Sequence, residues 1–398
     1  MIHSFSCENF YSFKDRMELS FVVDANAPDK TSYITDGTGT RVSLLETVIG
    51  PNASGKTNLL KVLPIIKWFM FDSWNESPTN FISIKPFMMN EDPSTLTKLG
   101  VAFSIGHSLY EYDIHLNKNK IYFERLVERS LSNARRTAKT LFERSWNSDN
   151  EAYDLLLKNF KAPPGFQALI RENASVISTA LRLNHKLSRI INDYWLWIDF
   201  NVKESGYIND QVLGHQESMV VAYGYFLQNK ELKLKADEIM RKFDLGLNSV
   251  EIEQVENQIK VSAQHNFGTV VRSIPMEYES SGTKKLYSLL KIILLTLDKG
   301  GIAIIDELDT SLHPEMLEEL VGMYTDSSLN DKNAQLLFST HNHQILSQLD
   351  KYQIVLTEKN PDGQTETWRL DSVKGVRADD NYYTKYFAGA YGAVPNIG

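Results

Sequence analysis

Gly50-Pro51-Asn52-Ala53-Ser54-Gly55-Lys56-Thr57 is the stretch that decides the fold of this chain. It follows the apolar run Leu44, Leu45, Val48, Ile49 and precedes Leu59, Leu60, Val62, Ile65 and Ile66, which recur at helical spacing, so the order is strand, loop, helix. A loop of this composition wraps a phosphate, because its glycines let the backbone amides turn inward and the helix start adds partial positive charge. Gly50, Pro51, Asn52, Ala53, Ser54 and Gly55 then form the cradle, Lys56 reaches the β and γ phosphates, and Thr57 ligates Mg²⁺. The plainer alternative, a glycine-rich turn, does not account for both flanks.

A second element completes such a site. Ile302-Ala303-Ile304-Ile305-Asp306-Glu307 is an apolar strand ending in two carboxylates. Asp306 at the strand tip suits the water shell of Mg²⁺, and Glu307 suits a general base for the water attacking a γ-phosphate. Taken alone, Asp-Glu after a strand is a solvated loop start; the phosphate loop turns the reading. Three smaller signals lie nearby: Glu279-Ser280-Ser281-Gly282-Thr283 opening an apolar helix, Asp309-Thr310-Ser311-Leu312-His313-Pro314, and Phe338-Ser339-Thr340-His341-Asn342 closing a strand. Read singly, Ser280 is an N-cap and His341 a structural histidine. His341 and His343 are not expected to bind metal, since no cysteine or carboxylate cluster completes a site.

The chain has 398 residues, 42% hydrophobic and 23% charged, a globular composition that excludes disordered, collagen-like and disulfide-scaffold classes. Cys7 is the single cysteine, so neither an internal disulfide nor a Cys-x-x-Cys zinc pair exists, and a reducing cytoplasm is the expected compartment. A net charge of −8 disfavours nonspecific binding to DNA or anionic membrane. No signal peptide or membrane-spanning run is expected, because the longest apolar stretch, Leu286 to Leu297, is interrupted by Lys291.

Strand patterns at Met17–Val23, Val101–Ile105, Tyr110–Ile114 and Lys120–Phe123 make residues 1–126 a sheet-rich lobe. Over 127–242 the spacing turns helical, with Ile170, Ala174, Ile177 and Leu181, then Leu187, Ile191, Tyr194 and Ile198, broken at Pro163 and Pro164. Strands return in 243–398, at Ser249–Val261, Ile302–Ile305 and Leu336–Phe338. Because the phosphate loop and Asp306-Glu307 must share one site, the expectation is a discontinuous α/β head carrying a mostly helical insertion.

Phosphate loop, Ser-Ser-Gly, Asp-Glu strand, Asp309 turn and strand-histidine, in that order, resemble the ATP-binding-cassette (ABC) ATPases of the SMC, RecF and OLD-like branch. The resemblance implies an ATPase with ATP and Mg²⁺ as cofactors, sandwiching ATP in a head-to-tail homodimer, with higher oligomers left open. By position, Ser280, Ser281 and Gly282 would contact the partner's γ-phosphate, Asp309 would lie at the dimer seam, and His341 would be the switch histidine beside Lys56 and Glu307. A closer resemblance, to bacterial AAA-type ATPases of the abortive-infection class, rests on the same motifs. It adds Asn9-Phe10-Tyr11-Ser12-Phe13, Leu312-His313-Pro314 and the ending Tyr386-Phe387-Ala388-Gly389-Ala390-Tyr391-Gly392-Ala393-Val394-Pro395-Asn396-Ile397. It implies antiphage defence, the ATPase acting as sensor or regulator of a separate toxin or nuclease effector. A RecF- or SMC-like DNA-binding ATPase is the alternative.

Two departures are visible. The family's Mg²⁺-ligating glutamine is missing, since no Gln occurs between Asn58 and Phe166; Asn90 is one substitute. OLD nucleases carry a Toprim domain after the switch histidine, but only 57 residues follow His341, so chemistry on nucleic acid is expected to need a partner. The most basic stretch, Arg125, Arg129, Arg135, Arg136, Lys139 and Arg144, is interleaved with Glu124, Glu128 and Glu143; it suits nucleic acid or an acidic partner, although a solvated helical face is favoured. Tyr194, Trp195, Trp197 and Phe200 offer a stacking platform for bases, but their spacing favours the core.

Overall fold

The computed structural model describes residues 1–394 apart from 26, 90, 91, 93, 133, 134, 203–214, 244, 245 and 257. Strands β1 (Ile2–Glu8), β2 (Met17–Ser20), β3 (Tyr33–Thr35), β4 (Arg41–Ser43) and β5 (Leu45–Ile49) lead into helices α1 (Lys56–Leu60) and α2 (Val62–Phe71). A meander follows: β6 (Thr97–Ile105), β7 (Ser108–Leu116), β8 (Ile121–Ser132), β9 (Arg135–Asn147) and β10 (Ala152–Leu156). Next come α3 (Val176–Arg182), α4 (Lys186–Trp195), β11 (Ile198–Phe200), α5 (His215–Gln228) and α6 (Lys230–Phe243). The last part holds β12 (Leu247–Val255), β13 (Gln258–Phe267), β14 (Val270–Pro275), α7 (Ser281–Lys299), β15 (Ile302–Ile305), α8 (Pro314–Thr325), β16 (Gln335–Ser339), β17 (Ile354–Lys359), β18 (Thr365–Arg369) and α9 (Tyr382–Phe387).

The sheet that positions the site has the order β11-β15-β16-β5-β17-β18, parallel except for β18. Its strand β15, Ile-Ala-Ile-Ile, is apolar on both faces because both are covered. Val48, Ile302, Ile304, Leu337 and Val355 enter the core shared with α2, α3, α4 and the seven-stranded sheet β10-β9-β8-β7-β6-β1-β2. Their neighbours Ile49, Ala303, Ile305, Leu336 and Leu356 enter the core shared with α5, α6, α7 and α8. Side chains alternating across a strand thus feed two cores from one short apolar run.

Two expectations are corrected. Ile121–Ser132, Arg135–Asn147 and Ala152–Leu156 are strands β8, β9 and β10, so the first sheet runs past 126 and the first α-helix after it is α3 at Val176. The interleaved charges there are cross-strand partners: Glu124 faces Arg144, Arg125 faces Glu143 and Glu128 faces Lys139. Opposite charges directly across an antiparallel ladder stabilise the pair, a use of alternation that a helical reading misses. The second correction is Ile198, which opens β11 rather than closing a helix and pairs with Ile302. Trp195 is fully buried and packs edge-on to Phe103, whose ring Tyr194 stacks on, so these aromatics belong to the core. Among the described residues no helix is long and apolar enough to cross a membrane.

Candidate functional site

The site forms at the carboxyl ends of the parallel strands, where loops leave an open sheet and ligands bind in such folds. β5 runs into the phosphate loop. Gly55 (φ 109) and Ala53 (φ 62) take left-handed dihedrals that turn the chain into α1. Lys61, between α1 and α2, keeps right-handed dihedrals, so the helical course continues. The loop is held from outside by β17 and β18: Ser54 Oγ meets Thr357 Oγ1 at 2.7 Å, and Thr365 Oγ1 donates to the Ser54 carbonyl at 2.8 Å. A Cβ on Gly50 would lie 2.0 Å from the Thr357 carbonyl oxygen, which explains a glycine there. Ser12, from the Asn9–Phe13 stretch, accepts from Asn58 Nδ2 at 2.9 Å and lies 2.8 Å from Thr365 Oγ1, to which its own hydroxyl can donate, so that opening braces the loop.

Lys56 folds back over the loop, its Nζ donating to the carbonyls of Gly50 (2.8 Å) and Pro51 (3.0 Å). Burial pushes its ammonium below the ordinary range, and Asp306, Glu307 and Asp309 oppose that shift. Thr57 Oγ1 donates to Asp306 Oδ2 at 2.6 Å, joining residues 249 apart in sequence. These oxygens are hard donors of the kind Mg²⁺ takes. A buried cation resting on neutral carbonyls beside a threonine–aspartate pair fits a phosphate with its metal. No cluster of three or more His, Cys, Asp or Glu suited to a metal occurs among the described residues, at His341 and His343 included.

Ser339, at the end of β16, ties the two acids together: its hydroxyl donates to Asp306 Oδ1 at 2.5 Å and accepts the Glu307 N–H at 2.8 Å. The Glu307 carboxylate is exposed and accepts from Thr310 Oγ1 at 3.1 Å. Asp309 accepts the His341 N–H on both carboxylate oxygens, at 3.1 and 3.2 Å, so the acidic turn and the histidine loop are one unit. His343 stacks on Tyr386 at 4.9 Å, which places α9 of the C-terminal ending against this loop.

Ser280 is an N-cap, its Oγ accepting the Thr283 N–H at 3.0 Å. Ser280 and Ser281 are exposed, and a Cβ on Gly282 would meet the Ser311 carbonyl at 2.7 Å. The Ser-Ser-Gly stretch therefore packs against the turn after Asp309. Among the described residues no hydrogen bond joins Ser280, Ser281 or Gly282 to Gly50–Thr57.

A family described as "AAA domain, putative AbiEii toxin, Type IV TA system" matches residues 47–347, from β5 through the phosphate loop to the histidine loop. The chain belongs to this family. No curated protein matches it. Among solved structures, the SMC head domain from Thermotoga maritima is 14% identical at a TM-score of 0.41, covering 92% of this chain and 98% of that one. An Smc head bound to the C-winged helix domain of ScpA is 13% identical at 0.44, with 94% and 99% covered. An Smc head with an extended coiled coil, bound to the C-terminal domain of ScpA derived from Pyrococcus furiosus, is 13% identical at 0.42, with 93% and 96% covered.

One residue of this AAA-family site escapes a sequence reading. Asn90, weighed for the missing glutamine, lies outside the described residues, as do Pro395, Asn396 and Ile397. The amide that does reach the acidic strand is Asn201, just past β11, bonded to both main-chain groups of Asp306. A three-residue strand has no periodicity to flag it, and Asn201 belongs to no motif.

Proposed function

We propose that the chain is an ATPase that hydrolyses ATP to ADP and phosphate, dimerises head to tail around the nucleotide, and regulates a separate effector in bacterial antiphage defence. The observation that carries the ATPase reading is the 2.6 Å contact between Thr57 and Asp306, which brings a hydroxyl and a carboxylate together beside the phosphate loop. Thr57 and Asp306 hold Mg²⁺ in this reading, and the loop amides and Lys56 hold the phosphates. Bound there, Mg²⁺ neutralises charge that builds on the transferred phosphoryl oxygens. Lys56 leaves the Gly50 and Pro51 carbonyls to meet that charge. Glu307, exposed at the turn, accepts the proton of the attacking water, and His341 bonds the terminal phosphate.

The exposed Ser280 and Ser281, with no hydrogen bond to their own phosphate loop among the described residues, support a role for Ser280, Ser281 and Gly282 in the site of a second copy, with Asp309 at the seam. The family's toxin and antitoxin-system description supports the defence context and a toxin or nuclease effector. A DNA-binding clamp is the second reading. The pairing of Arg125 with Asp113, Arg129 with Glu111 and Arg144 with Glu124 leaves less free positive charge for it. Glu307→Gln should stop turnover while keeping ATP binding and trapping the dimer, and Lys56→Ala should remove binding. An unchanged turnover rate in Glu307→Gln would remove the catalytic assignment. Co-purification with a neighbouring gene product independent of DNA supports the defence reading; salt-dependent DNA affinity supports the clamp.

A further inference from the structure

We propose that Asn201 is a positioning residue for ATP turnover, its carboxamide setting the direction in which Asp306 and Glu307 leave β15; this rests on the ATPase reading above. Asn201 follows the last residue of β11, and its main-chain N–H donates to the Ile304 carbonyl at 3.2 Å, extending the parallel ladder. The side chain then supplies the next rung itself. Its Nδ2 donates to the Asp306 carbonyl at 3.0 Å, and the Asp306 N–H donates to its Oδ1 at 2.7 Å. One planar amide thus holds both main-chain groups of Asp306, while Ser339 and Thr57 hold its two carboxylate oxygens.

The next residue requires that anchoring. Glu307 has φ 49, a left-handed conformation that a non-glycine residue keeps only where its surroundings over-determine it. Ser339 accepts its N–H at 2.8 Å, Lys285 Nζ donates to its carbonyl at 2.9 Å, and Asn201 secures the preceding residue from the β11 side. β11 is itself tied to α7, the helix opened by the Ser-Ser-Gly stretch, through Asp199 and Lys291 at 2.6 Å, 19% and 15% exposed. Residues 199 and 201 lie two apart in an extended segment and share a face. Without the Asn201 amide the end of β15 can twist, and the two carboxylates then sample directions that serve neither metal nor water.

The test compares Asn201→Ala with the unaltered full chain in three measurements. These are ATP turnover, affinity for a fluorescent ATP analogue without metal, and Mn²⁺ affinity in the presence of ATP, read by paramagnetic resonance of the free ion. Expected are a kcat and an Mn²⁺ affinity each lower by about 10-fold to 100-fold, as when a group orienting a metal ligand is removed, with metal-free nucleotide affinity unchanged within about twofold. Asn201→Asp, which keeps an acceptor for the Asp306 N–H, should fall between. Adding Ser339→Ala should cost less than the product of the two separate losses, because both residues act on the same pair of acids. Unchanged kcat and Mn²⁺ affinity in Asn201→Ala overturn the proposal, as does a loss of metal-free nucleotide affinity equal to the loss in kcat. If the unaltered chain binds Mn²⁺ with ATP but does not turn it over, the hydrolysis reading fails, and the Mn²⁺ measurement still decides the role of Asn201.

Discussion

Arg144→Met should destabilise the protein strongly and leave any nucleic-acid affinity untouched. Arg144 and Glu124 are both fully buried, with Nη2 and Oε2 2.8 Å apart. Glu124 also accepts the Tyr112 hydroxyl at 2.9 Å and the Val176 N–H at 3.0 Å, where α3 begins. Arg144 donates to the carbonyls of Arg171 at 3.0 Å and Ala174 at 2.7 Å, so the pair joins the first sheet to the start of the helical segment. Removing one member of such a buried pair costs about 3–5 kcal/mol, chiefly because the remaining charge is left without a partner. Burial already raises the Glu124 carboxyl above its ordinary 4.5, with Arg144 foremost among the groups opposing that rise. Without Arg144 the carboxyl rises further, so the deficit of the variant is largest near neutrality and shrinks as pH falls and the unfolded chain also takes up the proton. Arg144→Met with Glu124→Gln keeps an acceptor for Val176 and Tyr112 without a charge, and should recover part of the loss. The assay is urea unfolding followed by tryptophan fluorescence, for which buried Trp195 is a probe. An unaltered unfolding midpoint together with weakened, salt-dependent DNA binding would refute the reasoning and restore Arg144 as a nucleic-acid contact.

Gly50→Ala should reduce ATP affinity by about 10-fold or more, read by a fluorescent analogue, because its Cβ meets the Thr357 carbonyl oxygen at 2.0 Å and the phosphate loop has to shift. Ser280→Ala should cost about 1 kcal/mol through loss of the α7 cap, seen as a lower melting temperature. If Ser280 also meets a second copy's phosphates, ATP-dependent dimerisation measured by light scattering should weaken as well. Burial holds the His343 imidazole below its ordinary 6.5, with His341 and Lys56 adding to the shift and Asp309 opposing it. The unfolded chain therefore binds that proton first, and stability falls as pH drops below about 6.5. His343→Phe keeps an aromatic ring against Tyr386 and should flatten that part of the melting-temperature profile; an unaltered slope would remove His343 as the cause.

The phosphate loop and the acidic strand tip were legible in the sequence because each is a local device. Glycines that turn a backbone, a lysine and threonine at a helix start, and an apolar strand ending in two acids carry their chemistry within eight residues or fewer. Motif order then implied that residues 50–57 and 306–307 share one site, and the Thr57–Asp306 contact agrees. The helical reading of 127–157 failed for an equally physical reason. Alternating charge and apolar residues satisfy a solvated helix face on paper, while in the chain Glu124, Arg125 and Glu128 find the opposite charges Arg144, Glu143 and Lys139 directly across a hairpin. Arg144 reads as one more surface cation until its strand register puts it beside Glu124 under α3.

Asn201 belongs wholly to the tertiary level. Its role depends on β11 lying next to β15, a pairing between segments more than 100 residues apart whose strand is too short to leave a period. The sequence by itself thus singled out the groups proposed to bind phosphate and metal, since that chemistry is written in residue types at short spacing. Only the tertiary structure decided which groups hold those acids in place, because that support comes from ladder partners and buried charges brought together by the packing of two cores on one sheet.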